Sequence, residues 1–533
     1  MTLVHPRRVA AVIGGRQHDL YAAAGPAGIA PETARVVSST NPARLSDVVA
    51  EVVLDGAEAI VAAAAAARAA QREWADVPAP VRGEVVGAFG RLVEDNAETL
   101  ARLVTREIGK PLAEARGEVR EIIDTCALFR GEGRRPHGQT VPSEMPDREL
   151  FTYREPLGVV MVITAGNFPV AVPSWYLVPA LLTGNAVVWK PAEYAAACAA
   201  ALMDLLTAAG VPPGVANLVL ADGPATSLGL ERALDAGLVD KVGFTGSTAV
   251  GRFVGALCGR HLQSPCLELG GKNPMVVAPD ADLDAAVAAA LFAGFGTAGQ
   301  RCTSLGTVIA HESVHGAFRR RLAAAVSGAV LGDPTRDVLY GPLLDARFAA
   351  GFEDHLACVR DHHEPFGSTA LGRIGPASPR RGFVGDPETG LYYHPVVVDR
   401  VRPDDELFTA ETFGPIVGLT TYRHLEEAVE LANLPGYGLS SAIFTGDPVT
   451  VRRFRRGVRA GMVSVNTSTS GAEAHLPFGG NGRSGNGARQ SGQWVLDQVT
   501  RWQSLTWELS GRLQKAQLDV SVPPADLGFR LPR

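Results

Sequence analysis

The segment Gly299-Gln300-Arg301-Cys302-Thr303-Ser304 sets one cysteine where an Ala-rich helical run, 285–298, gives way to an apolar strand-like run, 305–310. A thiol with a pKa of about 8.5 is only a few per cent thiolate at neutral pH, yet that fraction is strongly nucleophilic. At such a junction it can face a cleft; the plainer reading of a free cysteine is a small buried hydrophobe. Upstream, Glu268-Leu269-Gly270-Gly271-Lys272 places a carboxylate beside two glycines that shield it little. In a partly apolar cleft that glutamate can act as general base toward the thiol or a water, and on its own it would read as a solvated loop residue. Thr164-Ala165-Gly166-Asn167-Phe168-Pro169 follows an apolar run, at the strand end where parallel sheets carry functional groups. An Asn amide there can donate to a developing oxyanion, worth about 10²–10³ in rate, or can simply make a turn before Phe-Pro.

Two further stretches suit a nucleotide. Phe244-Thr245-Gly246-Ser247-Thr248-Ala249-Val250-Gly251 reads as a strand-to-helix turn, with glycines for close backbone approach and Ser247 or Thr248 to cap the helix. Its N-terminal N–H groups and dipole favour phosphate. Four residues separate Gly246 from Gly251, so this is not the GxGxxG fingerprint. Lys190 and Glu193, after another apolar run, add a cation and an acceptor. A carboxylate accepting both ribose hydroxyls repels a 2′-phosphate, so NAD is expected over NADP.

The elements that must position these groups follow from length and pattern. The 533 residues exceed one core, so two or three domains are expected. A net charge of −6 without a basic patch argues against nucleic acid. No apolar stretch is long enough for a bilayer, and Val9–Ile13 after Arg7-Arg8 is too short for a signal core. Six cysteines without CxxC or metal-ligand spacing point to a reduced, cytoplasmic protein with no metal. Helical patterning covers 54–74, 81–96, 97–108 and 112–131. From 158 to 244 apolar runs at 158–163, 186–189, 215–220 and 241–244 alternate with helices; a second set at 274–277, 305–310, 395–398, 415–421 and 441–444 does the same. Such alternation means βαβ units and parallel sheets buried on both faces, an α/β class. Residues 1–40 show no period and read as a surface extension, 359–390 as a surface excursion, and 511–533 as a loosely attached tail. Alternation in 495–508, with Trp502, Leu505 and Trp507, marks a strand suited to pairing with another subunit.

Taken in order, Asn167, Lys190-Pro191-Ala192-Glu193, 246–251, Glu268-Leu269-Gly270-Gly271-Lys272, 299–304, Glu411-Thr412-Phe413-Gly414-Pro415 and Pro477-Phe478-Gly479-Gly480 resemble the aldehyde dehydrogenase superfamily over roughly residues 40–510. The resemblance implies a Rossmann-like NAD-binding domain (41–140, 154–272 and 466–490), a second α/β catalytic domain (273–465) and a small β oligomerisation element (141–153 and 491–510). It implies that Cys302 attacks the aldehyde, that Asn167 and the Cys302 N–H hold the oxyanion, and that Glu268 activates the water that hydrolyses the thioester. Thr164, Lys190, Glu193, Gly246, Ser247, Gly251 and Leu269 would surround the cofactor, with Glu411 and Phe413 clamping the nicotinamide ribose. A homodimer or homotetramer is implied.

Within the superfamily the chain is similar to the α-aminoadipic semialdehyde group at 167–172, 296–302 and 469–473. That similarity implies a head-group site made of Glu121, Trp175, Arg301, Ser470, Gly471 and Ala472. A guanidinium with backbone N–H groups suits a carboxylate, and Glu121 an ammonium. The other readings are an internal salt bridge for Arg301 and an exposed helix position for Glu121. Pro173-Ser174 and Tyr176 depart from that group, which opens the expectation to another ω-semialdehyde or a bulkier aldehyde. A CoA-acylating enzyme, a thiol hydrolase and a non-catalytic binding relative are the competing classes.

Overall fold

The computed structural model describes residues 6–18 and 35–532. Its frame is two seven-stranded sheets. In the first, five parallel strands run in the spatial order Cys266–Glu268, Lys241–Thr245, Val159–Ile163, Ala186–Lys190, Ala216–Leu218. Val159–Ile163 and Ala186–Lys190 are buried at every position, which is why their sequences are unbroken apolar runs rather than alternating ones. Chain order reverses between Val159–Ile163 and Lys241–Thr245, so their C-terminal ends open a crevice of the kind that holds ligands in such sheets. The loop with Asn167 and the turn with Gly246 flank it.

The second sheet orders Val396–Asp399, Ile416–Tyr422, Leu305–His311, Asn273–Val277, Ser440–Phe444 and Met462–Val465 in parallel, with Glu364–Phe366 antiparallel at one edge. Helices Leu283–Phe295 and Glu312–Gly328 cover it, and one apolar cluster from Met275 to Phe454 fills its core. The first sheet packs on helices Ala57–Asp76 and Ala171–Leu182, and beyond the latter on Ala79–Asp95 and Leu112–Glu132. Among the described residues no helix is long and apolar enough to cross a membrane.

Three expectations change. The N-terminal stretch is more than a surface extension: Arg7–Val9 pairs parallel with Val48–Leu54, and Ala11–Ile13 joins the first sheet antiparallel to Ala216–Leu218. Three-residue strands are too short to show a period; they are extended because a neighbouring edge supplies their hydrogen bonds. The remainder, 1–5 and 19–34, lies outside the described residues. At the other end, 493–499 forms helical turns, and only Thr500–Glu508 is strand, antiparallel to Arg148–Pro156. The tail has an anchor: Gln514 is buried, its Nε2 donates to Pro146 O at 2.9 Å, and its carbonyl accepts from Arg148 at 2.9 Å.

Candidate active site

Cys302 is partly exposed and lines two cavities at once. One, of about 570 Å³, runs along Gly246, Ser247, Leu269, Glu411 and Phe413. The other, of about 470 Å³, runs along Glu121, Phe168, Trp175, Arg301 and Phe478. The thiol is the meeting point of a larger cleft and a smaller chamber, both mostly apolar.

Backbone strain delivers it there. After the helix Leu283–Phe295, Thr297, Ala298 and Gly299 all adopt positive φ, at 50°, 55° and 72°. A β-branched threonine in that region is costly and persists only when its surroundings hold it. Glu114 does so, accepting from the Thr297 N–H at 3.1 Å and, more closely, from its hydroxyl and from Arg301. Gly299 is required as well, because a Cβ there would lie 2.2 Å from the Gly414 carbonyl oxygen. Asn273 Nδ2 donates to the carbonyls of Cys302 and Ser304, both at 2.8 Å, and fixes the far side of the turn.

The Asn167 side chain donates to Gln300 O at 2.9 Å, which leaves its second N–H for another acceptor. Its loop is pinned from below. Glu118 accepts from the Val170 and Ala171 N–H groups at 2.9 and 3.1 Å and pairs closely with Lys110, both side chains being fully buried. Lys110 Nζ lies 3.4 Å from the centre of the Phe168 ring. Glu268 ends a strand at 1% exposure, and neither carboxylate oxygen is hydrogen-bonded. Burial pushes its pKa well above the usual range, and the nearby Gly480 N–H and Arg489 offset only part of that. Burial likewise raises the Cys302 thiol, with the Glu268 and Glu411 carboxylates adding to it.

Along the larger cavity, Ser247 Oγ accepts from the Val250 N–H at 3.4 Å and caps the helix Thr248–Arg260. Glu411 accepts from the Gly271 N–H at 3.0 Å; burial lifts it to about 7 despite that bond and the nearby Lys272. Phe413 holds a φ of 45°. Thr164 sits behind the wall, where its hydroxyl accepts from Trp189 Nε1 at 3.0 Å. Gly251 also lies behind, its bare Cα packed against Leu269. Lys190 and Glu193 stand 3.9 Å apart at the end of Ala186–Lys190, and Glu193 pairs with Arg347, which lines the cavity.

In the smaller cavity Arg301 is engaged by Glu114 and stacks over Phe292 at 4.5 Å. Glu121 accepts from Trp175 Nε1 at 3.3 Å and has no cationic partner among the described residues; burial lifts it to about 7. Gly471 and Ala472 line the wall. Ser470 turns instead toward Thr303, its hydroxyl donating to the Thr303 carbonyl at 3.2 Å. Sequence reasoning missed Lys110, Glu114 and Glu118. A signal was present, since Glu114, Glu118 and Glu121 fall on one helix face at i, i+4 and i+7.

Residues 29–505 match the model of the aldehyde dehydrogenase family. The chain is 34% identical to the α-ketoglutaric semialdehyde dehydrogenase of Bacillus subtilis (strain 168), over 87% of this chain and 93% of that protein. It is 36% identical to the α-aminoadipic semialdehyde dehydrogenase of Mus musculus, over 85% and 82%. The structure of betaine aldehyde dehydrogenase from Staphylococcus aureus in complex with NAD+ superposes with a TM-score of 0.86 at 28% identity, covering 95% of each chain.

Proposed function

The chain belongs to the aldehyde dehydrogenase family, and from that premise we propose how its residues carry the NAD-dependent oxidation of an aldehyde to the acid. The observation that carries the reading is the Cys302 thiol at the junction of the two cavities, with Asn167 in the lining of the larger one and the Glu268 carboxylate near enough to raise the thiol pKa. The cofactor fits the larger cavity: the open N-terminus at Ser247 suits a pyrophosphate, and Glu411 in the same lining is near enough to the thiol to raise its pKa. Bound there, NAD supplies the hydride acceptor.

The protein's own groups do the rest. Cys302 gives up its thiol proton to Glu268, which passes it to solvent. The Cys302 Sγ bonds to the aldehyde carbon as the carbonyl π electrons move to oxygen, and the Asn167 amide and the Cys302 N–H receive the oxyanion. Departure of hydride from that carbon leaves a thioester. Glu268 then takes a proton from water as its oxygen attacks the thioester carbonyl; the C–S bond breaks, and the thiolate returns to Cys302. The chamber beyond the thiol supports an aldehyde whose far end carries an ammonium for Glu121, the carboxylate in its wall without a cationic partner. The unpaired cysteines support a reducing, cytoplasmic setting.

With propanal as substrate, Cys302→Ser should lose NADH production by about 10³-fold or more. Glu268→Gln should keep a single-turnover burst of NADH while the steady state falls about 10²-fold. Full steady-state activity in either variant defeats the corresponding role.

A further inference from the structure

The cleft holds, beside Glu193, a cation that a lone Glu193 would not suggest. Arg347 opens the helix Ala346–Leu356 and reaches toward the end of the strand Ala186–Lys190. Its Nη1 donates to Glu193 Oε1 at 2.8 Å, while Nε and Nη2 hold Asp345 Oδ2 at 2.9 and 2.6 Å. The guanidinium lies 5.3 Å over the Tyr194 ring, and Phe348 packs edge-on against the same ring at 5.8 Å. Arg347 and Tyr194 line the cofactor-side cavity, and Glu193, its side chain 22% exposed, pairs with Arg347. The arginine side chain is nonetheless 63% exposed, so it can change partners with little loss.

This alters what the site does to charge. A lone carboxylate beside the ribose turns away a 2′-phosphate. Here Glu193 is flanked by Lys190 on one oxygen and Arg347 on the other, and the two cations are set against two carboxylates, Glu193 and Asp345. A guanidinium fork that holds carboxylate oxygens matches phosphate oxygens equally well. We propose that Arg347 is a cofactor-specificity determinant, which releases Glu193 to take a 2′-phosphate and so lets the cleft accept NADP as well as NAD. The proposal rests on Glu193 lying beside the adenosine ribose.

The experiment compares kcat/KM for NADP and for NAD, with propanal saturating, in the wild-type enzyme, Arg347→Gln, Arg347→Lys and Glu193→Gln. Dissociation constants for NADPH and NADH, read by fluorescence, are measured on the same proteins. Arg347→Gln should lower the NADP-to-NAD ratio at least threefold in both measurements, and Arg347→Lys should recover part of it. An unchanged or raised ratio in Arg347→Gln overturns the proposal, as does a wild-type enzyme with no NADP turnover and no NADPH binding. Glu193→Gln should raise the ratio. If that variant alters neither cofactor, the ribose assignment itself has failed, a result separate from the fate of Arg347.

Discussion

Cys302 and Glu268 respond to pH in the same direction. Burial raises both above their ordinary values, so the thiolate and the carboxylate, the forms the proposed mechanism uses, form at higher pH than in exposed groups and grow as pH rises. Steady-state kcat with propanal should therefore climb from pH 6 through pH 9, and a profile that is flat or falls over this range would contradict the roles assigned. Glu121 offers a finer test. Its carboxyl is lifted to about 7, and only its ionised form, dominant above that value, pairs with an ammonium. KM for an ω-aminoaldehyde should fall as pH rises through about 7, while KM for propanal shows no matching step. Glu121→Gln should raise the aminoaldehyde KM roughly tenfold, in line with loss of a partly buried charged hydrogen bond, and should remove that pH step. Equal KM changes for the two substrates would leave Glu121 a structural residue.

At the scale of elements, the helix Leu112–Glu132 carries more than a wall of the chamber. One face offers Glu114 to the strained turn before Cys302, Glu118 to the start of the helix Ala171–Leu182, and Glu121 to the chamber. The Lys110–Glu118 pair is fully buried, and removing one partner of such a pair leaves an uncompensated charge at a cost of about 3–5 kcal/mol. Burial already lowers the Lys110 pKa, and Glu118 opposes that shift. Glu118→Ala should lower Tm by several degrees in a thermal scan and slow acylation as the Asn167 loop loosens. Lys110→Met combined with Glu118→Gln, which keeps an acceptor for the Val170 and Ala171 N–H groups, should recover most of the Tm. No recovery in the double variant would show that the loss did not come from the stranded charge.

For the whole molecule, the strand Thr500–Glu508 stands out. It is the edge of a three-stranded sheet, paired with Arg148–Pro156 on one side only, and residues 501–507 are exposed along their length. Trp502 and Trp507 are each more than half exposed, Trp507 on the face that carries Leu505 and Tyr153 and Trp502 on the other. An open, apolar edge of this kind is normally covered by another chain, and a second copy related by a two-fold axis is the simplest cover. Trp502→Lys with Trp507→Lys should shift sedimentation velocity toward smaller species with little change in Tm of the subunit. An unchanged sedimentation coefficient would leave this edge outside any interface.

Much of this protein is legible before folding is considered. Unbroken apolar runs mark strands buried on both faces, because a parallel sheet covered by helices leaves no polar side. Ordered short motifs single out Cys302, Glu268 and Asn167, proposed above as nucleophile, base and oxyanion donor, because such roles demand particular side chains and glycine-lined approaches. What the chain alone could not decide depends on partners distant in sequence. The three-residue strands at Arg7–Val9 and Ala11–Ile13 exist through edges more than thirty residues away. Arg301 is gripped by Glu114, 187 positions earlier. Glu193 is met by Arg347, 154 positions later. A charge's partner is set by which surfaces packing brings together, and local sequence carries no record of that.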